Sequence, residues 1–162
     1  MAVDFYLEID GVKGESQDSK HKDTIELASF SWGAKNTGAH AAGGGGGAGK
    51  VSFQDIHFTT SVNKSTPLLF LACATGQHIK KATLFVRKQG GDQQDYYKVT
   101  MEDLLVSGVT NGHEVDDTDA IPYDAFSLNF AKVKLEYFEQ KPDGSLGGAV
   151  VFGYDLKANK KV

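Results

Sequence analysis

Apolar and polar residues alternate with period two along most of this 162-residue chain. Phe5, Leu7 and Ile9 alternate with Tyr6, Glu8 and Asp10, the pattern of a half-buried strand. Residues 11–23 are rich in Lys, Asp, Ser and Gly and predict a polar loop. Residues 25–35 (IELASFSWGAK) resume as a strand. Ile25, Leu27, Ser29 and Ser31 share one face, and Ala28, Phe30 and Trp32 share the other. The aromatic face is the core candidate near Trp32, which leaves Ser29 and Ser31 towards water or a lumen. Residues 36–49 form a loop longer than most connections in a compact domain. Val51 and Phe53 then open a strand on one face, and Ile56 and Phe58 continue on the other. Such a phase switch predicts a bulge or a strand buried on both sides.

The run STPLLFLACA, from residue 65, predicts the one helix, spanning about 65–75. Ser65 or Thr66 is the N-cap candidate, Pro67 suits the first turn, and Gly76 fits the C-terminal stop. Leu68, Leu69, Leu71 and Ala72 form its apolar stripe. A helix this short is marginal alone and must dock on the protein or on a neighbour. Strands follow: Ala82, Leu84 and Val86, then Tyr97, Val99 and Met101, joined by a turn at Gly90, Gly91 and Asp92. Asn111 and Gly112 give a turn signal after the next strand. Phe126, Leu128 and Phe130, then Val133, Leu135 and Tyr137, form a long strand with another phase switch. Pro142, Asp143 and Gly144 turn it. Val150, Phe152, Tyr154 and Leu156 make the last strand before the polar tail KANKKV. Many strands, frequent turn signals and one helix predict a mainly β sandwich or barrel in a single domain over 1–162.

Composition narrows the function classes. The formal charge is −4, from 21 acidic and 17 basic residues, which speaks against a dedicated nucleic-acid binder. Cys73 is the only cysteine, so no internal disulfide forms. The N-terminus lacks the basic-then-apolar pattern of a signal peptide, and no apolar run is long enough for a membrane helix, so no membrane insertion is expected.

The stretch GGGGGAGK at 43–50 forces the main functional decision. Gly44, Gly49 and Lys50 match a phosphate-binding G-x-x-x-x-G-K. That motif continues with Ser or Thr and opens a helix, whereas here Val51 follows and opens a strand pattern. The five histidines are scattered without ligand spacing. Asp116, Asp117 and Asp119 lack the glycine and terminal glutamate of a calcium loop. Cys73, on an apolar helix, suits a small core residue better than a nucleophile. The expectation is a non-enzymatic protein with no catalytic residues, metal or cofactor. The glycine run is then an arm. Ordering it costs roughly 1–2 kcal/mol per residue, with glycine at the high end. Contact with another subunit would offset that cost, so Gly43, Gly44, Gly45, Gly46, Gly47, Gly49 and Lys50 are candidates for an inter-subunit arm.

Several strings, in order along nearly the whole chain, carry a family resemblance: KGES (13–16), SFSWG (29–33), GGGGGAGKVSFQDIHFT (43–59), NKSTPLLFLACATGQH (63–78), VRKQGG (86–91), LNFAKVKLEY (128–137) and GYDLKANK (153–160). The chain resembles the haemolysin-coregulated protein (Hcp) family, the tube subunits of the bacterial type VI secretion system. Residues 111–124 depart most from the family pattern. The resemblance implies a two-sheet β-barrel with one helix at its side, and a homohexameric ring with head-to-tail contacts that stacks into a tube. It implies a contractile sheath around that tube, a VgrG-type spike above it and effector proteins carried in the ring. It also implies synthesis in the cytoplasm without a cleaved signal and export by the apparatus, and, because the chain ends with the barrel, no C-terminal toxin extension. Ser29 and Ser31 become candidate lumen residues. A monomeric β-barrel module for a small ligand or sugar is the alternative.

Overall fold

The computed structural model describes residues 3–36, 50–89, 93–114 and 121–162. Strand β1 (Val3–Ile9) pairs antiparallel with β2 (Ile25–Leu27) on one side and β7 (Ile79–Lys88) on the other. β7 pairs with β8 (Asp95–Gly112), and β8 pairs along its length with β9 (Tyr123–Gln140). The first half of β9 also pairs with β6 (Ile56–Ser61), and β6 pairs with β3 (Ser29–Ser31). Since β3 continues from β2 through Ala28, the nine-stranded sheet closes on itself. The seam is held by the Ala28 amide donating to the Thr59 carbonyl at 2.8 Å and by the Thr60 hydroxyl donating to the Glu26 carbonyl at 2.7 Å. Closure leaves those barrel edges paired. The second half of β9 carries β10 (Leu146–Asp155) and, beyond it, β11 (Lys160–Lys161). A separate two-stranded sheet, β4 (Ala34–Asn36) with β5 (Val51–Phe53), flanks residues 37–49 in sequence.

The barrel core follows the alternation. Leu7, Ile25, Ile56, Leu84, Val99, Met101 and Leu128 are fully buried. Helix α1 (Ser65–Thr75) adds Leu69 and Ala72. Fully burying one such aliphatic side chain stabilises by about 1.5–3 kcal/mol. β8 and β9 change their inward phase midway. In β8 the buried positions pass from Val99 and Met101 to Leu104 and Val106 across Asp103, whose φ is +54°. In β9 they pass from Phe126, Leu128 and Phe130 to Val133 across residues 131–132.

Several expectations need correction. Residues 25–35 are three short strands, because the chain crosses the barrel seam at Ala28. The phase switch between Phe53 and Ile56 is a passage from the small sheet to the barrel at Gln54 and Asp55, where no strand runs. Asn111 and Gly112 belong to β8, paired with Asp124 and Tyr123, and the connection comes later. At α1 neither Ser65 nor Thr66 is the cap. The Asn63 side-chain oxygen accepts from the Ser65 amide at 2.8 Å, and the Asn63 carbonyl accepts from the Thr66 amide at 3.0 Å. The Ser65 hydroxyl is buried without a partner, and that of Thr66 donates to Asp124. Gly76 does end the helix, at φ +62°, with the Gln77 amide donating to the Ala72 carbonyl at 3.0 Å. Of the apolar stripe, Leu69 and Ala72 dock on the protein, whereas Leu68 and Leu71 are exposed. The polar tail folds back as β11. The turn residues 90–92, the acidic residues 115–119 and the glycines 43–49 lie outside the described residues.

Candidate functional site

Ser29 and Ser31 occupy the outer face of β3, both exposed, while Phe30 between them packs on the core. Register fixes their neighbours. Ser29 stands opposite Thr59 and Ser31 opposite His57 on β6; Thr59 and His57 stand opposite Ala125 and Ser127 on β9. The two hydroxyls of Ser29 and Thr59 are hydrogen-bonded at 2.5 Å. This face forms a shallow hollow of about 350 Å³, floored by β3, β6, β9 and the end of β8.

A second row of polar groups continues the face. Ser107 donates to Asp55 at 2.6 Å, and Asn129 donates to the other oxygen of the same carboxylate at 2.8 Å. The hydroxyls of Ser107 and Ser127 lie 2.7 Å apart. Ser107 has only one proton and gives it to Asp55, so Ser127 is the donor in that pair. Ser107 faces outward by alternation with buried Val106, and the register of β8 on β9 shifts beside it, between Val106 and Gly108. Alternation at 55, 57, 59 and at 127, 129 signals the polar face in the sequence. The register shift beside Ser107 carries no comparable signal.

Lys50 lies at the entry to β5 and lines a second, larger concavity of about 720 Å³. Its walls are mostly apolar: Trp32, Val51 and Phe53 from the small sheet and the chain leading to it, Leu135, Phe152 and Tyr154 from β9 and β10, with Asn36 and Asn159 at its edge. Phe53 is the centre of an aromatic cluster, with ring centroids 5.8 Å from Tyr154, 6.1 Å from Phe130 and Phe152 and 6.4 Å from Trp32. The Trp32 indole donates to the Tyr97 hydroxyl at 3.2 Å. The chain after Lys50 is strand, so the helix that a phosphate cradle requires does not follow it.

Titratable side chains elsewhere serve structure. Arg87, 3% exposed in its side chain, donates from both terminal nitrogens to Asp18 at 2.8 Å and from one of them to the Tyr6 hydroxyl at 2.9 Å. The Arg87 hydrogen bonds, helped by backbone amides at 20 and 21, hold the Asp18 carboxyl down to about 2. Burial pushes the Tyr6 hydroxyl up. His21 stacks on Tyr6 and bonds Asp95 at 2.9 Å. His78 and Lys157 both bond Asp103 and hold its carboxyl below the usual range, Lys157 more strongly. Among the described residues no cluster of three or more His, Cys, Asp or Glu is placed to hold a metal ion. Cys73 is half-buried and packs on the core.

Comparison with known proteins adds a family. The family described as "Type VI secretion system effector, Hcp" matches residues 6–137. Protein hcp1 of Pseudomonas aeruginosa is 43% identical over 161 residues, spanning 98% of each chain. The fold is similar to Hcp1 from Salmonella typhimurium, with a TM-score of 0.84, 38% identity and 100% of both chains covered. It is also similar to a structure described as a type six secretion system protein, with a TM-score of 0.92, 28% identity, 99% of this chain covered and 100% of the other.

Proposed function

The chain belongs to the Hcp family of type VI secretion proteins, and on that premise we propose that it forms homohexameric rings that stack into an expelled tube and carry effector proteins in the lumen. The observation that carries this reading is the two-sided sheet of β3, β6 and β9. One side fills the barrel core. The other is an exposed wall of hydroxyls around Ser29 and Ser31. A wall of small polar groups offers hydrogen bonds to a folded cargo without a deep, selective cavity. Head-to-tail contacts close into a ring when the rotation allows it. The arm from Gly43 to Lys50 reaches a neighbouring subunit or ring. The sheath and the VgrG-type spike are the further partners, and the chain is exported by the apparatus as a carrier without catalytic activity of its own. Cargo, in this reading, is a separate protein, and residues 1–162 act as one barrel domain.

Native mass spectrometry and electron microscopy test the ring: a hexamer is expected, and a strict monomer at high concentration would overturn it. Ser31→Tyr tests the wall. Hexamers should persist while co-purified cargo falls about tenfold or more; undiminished cargo would remove Ser31 from the lumen face. The 720 Å³ apolar concavity supports one rival, a monomeric barrel that binds a small apolar ligand. A monomer that retains such a ligand would favour it.

A further inference from the structure

Helix α1 contains no charged residue, and its apolar surface runs around the whole cylinder. Leu69 and Ala72 face the core, while Leu68, Phe70 and Leu71 are exposed at 39%, 43% and 57%. Pro67, Phe70, Leu71 and Ala74 recur at i, i+3, i+4 and i+7, so they form one continuous outward ridge. A helix that is apolar all round is a helix buried on all sides. Within one chain this one is buried on one side only.

The second unpartnered apolar surface has the opposite shape. The β9–β10 hairpin runs past the barrel core with one face still apolar. Along it burial fades from Val133 at 1% to Tyr137 at 45%, and on β10 Phe152 is 40% and Val150 71% exposed. The small sheet of β4 and β5 roofs this face to make the 720 Å³ basin. Residues 38–49, GAHAAGGGGGAG, carry no side chain larger than one histidine and so offer little apolar side-chain surface. Among the described residues, the ridge of α1 is a charge-free convex surface with side chains of the right size. Among the described residues that line the basin, Lys50 alone is charged, so none of them sets a desolvated acid against the seating.

We propose that the outward ridge of α1 on one copy of the chain seats in the apolar basin of the next copy. The contact is heterologous, because ridge and basin are different surfaces of one subunit, and heterologous contacts propagate until they close. The inference rests on the ring reading above and adds which surfaces meet.

The test is complementation between two broken halves. Leu71→Asp spoils the ridge and leaves the basin; Phe152→Asp spoils the basin and leaves the ridge. Each variant alone should sediment as a monomer. Mixed in equal amounts they retain one intact ridge–basin pair, and a heterodimer of twice the subunit mass should appear. Circular dichroism and melting confirm folding, and the pair Phe70→Lys with Val51→Lys repeats the test at a second ridge position and a second basin position. A variant that remains hexameric overturns the proposal while leaving the ring. So does Leu71→Asp pairing with itself, or both mixtures of folded variants staying monomeric. A wild-type chain that is itself monomeric fails the ring reading instead.

Discussion

Arg87 is buried with a full positive charge that is answered at its two terminal nitrogens, while its Nε is buried without a partner. Asp18 takes both terminal nitrogens, the Tyr6 hydroxyl accepts from one, and the guanidinium lies 4.9 Å from the Tyr6 ring centre. Asp18 belongs to residues 11–24, so the ion pair pins that segment to β7. Gly14 completes the pinning: a Cβ there would stand 2.3 Å from the Thr24 carbonyl oxygen. The Asp18 pair has a defined pH signature. Its folded carboxyl titrates at about 2 against an ordinary 3.8, so its stabilisation is complete above 3.8 and is lost as pH falls towards 2. Asp18→Asn should therefore be less stable than the parent near neutrality, and the difference should shrink between about pH 4 and 2. Urea midpoints of parent and variant across that range measure it. A constant difference down to pH 2 would mean that the carboxylate charge is not the source. The sequence shows KGES and a polar segment, which predict a loop. They do not show that Asp18 meets an arginine 69 positions later, because nothing local encodes so distant a pairing.

Among the elements, α1 shows what pattern alone decides. Pro67 and Gly76 mark its ends well. Asn63 holds its first turn instead: its side-chain oxygen accepts from the Ser65 amide, and its own amide donates to the Thr66 hydroxyl at 3.2 Å. That hydroxyl donates to Asp124, which also accepts from Asn111 at 2.7 Å. Asn63→Ala should cost about 1 kcal/mol, within the usual 0.5–2 for a lost helix cap. Chemical denaturation checks it; an unchanged midpoint would place the capping elsewhere. The strands were legible where alternation runs unbroken, as in β1, β7 and β10. Legibility failed where a strand changes partner. Residues 25–31 change their inward phase at Ala28, from Ile25 and Leu27 to Phe30, while passing from β1 to β6, so reading them as one strand puts buried and exposed residues on one face. The polar wall was legible as Ser29 and Ser31, because their outward phase is simple alternation. The basin was not, since its two halves lie about a hundred residues apart and each reads locally as ordinary core.

For the molecule as a whole, long-range pairing is the rule. β1 meets β7 at Val3 and Lys88, and β6 meets β9 at Ile56 and Leu128. Domains built from such non-local contacts refold in milliseconds to seconds. Stopped-flow refolding of the subunit should lie in that range, and a dominant microsecond phase would contradict the topology. The barrel seam at Ala28 carries this consequence into the cell. The seam closes only when β9 arrives to hold β6, and β9 begins at residue 123. At about 5–20 residues per second, a nascent chain waits on the order of ten seconds between the emergence of β1 and that of β9. Through that interval β6 and β8 lack a strand partner that only β9 supplies, and the apolar side chains meant for the core have no enclosure. A ribosome stalled before residue 123 would present a sticky, open sheet, so the cell's supply of this subunit depends on uninterrupted translation and on whatever shields the chain until its ninth strand appears.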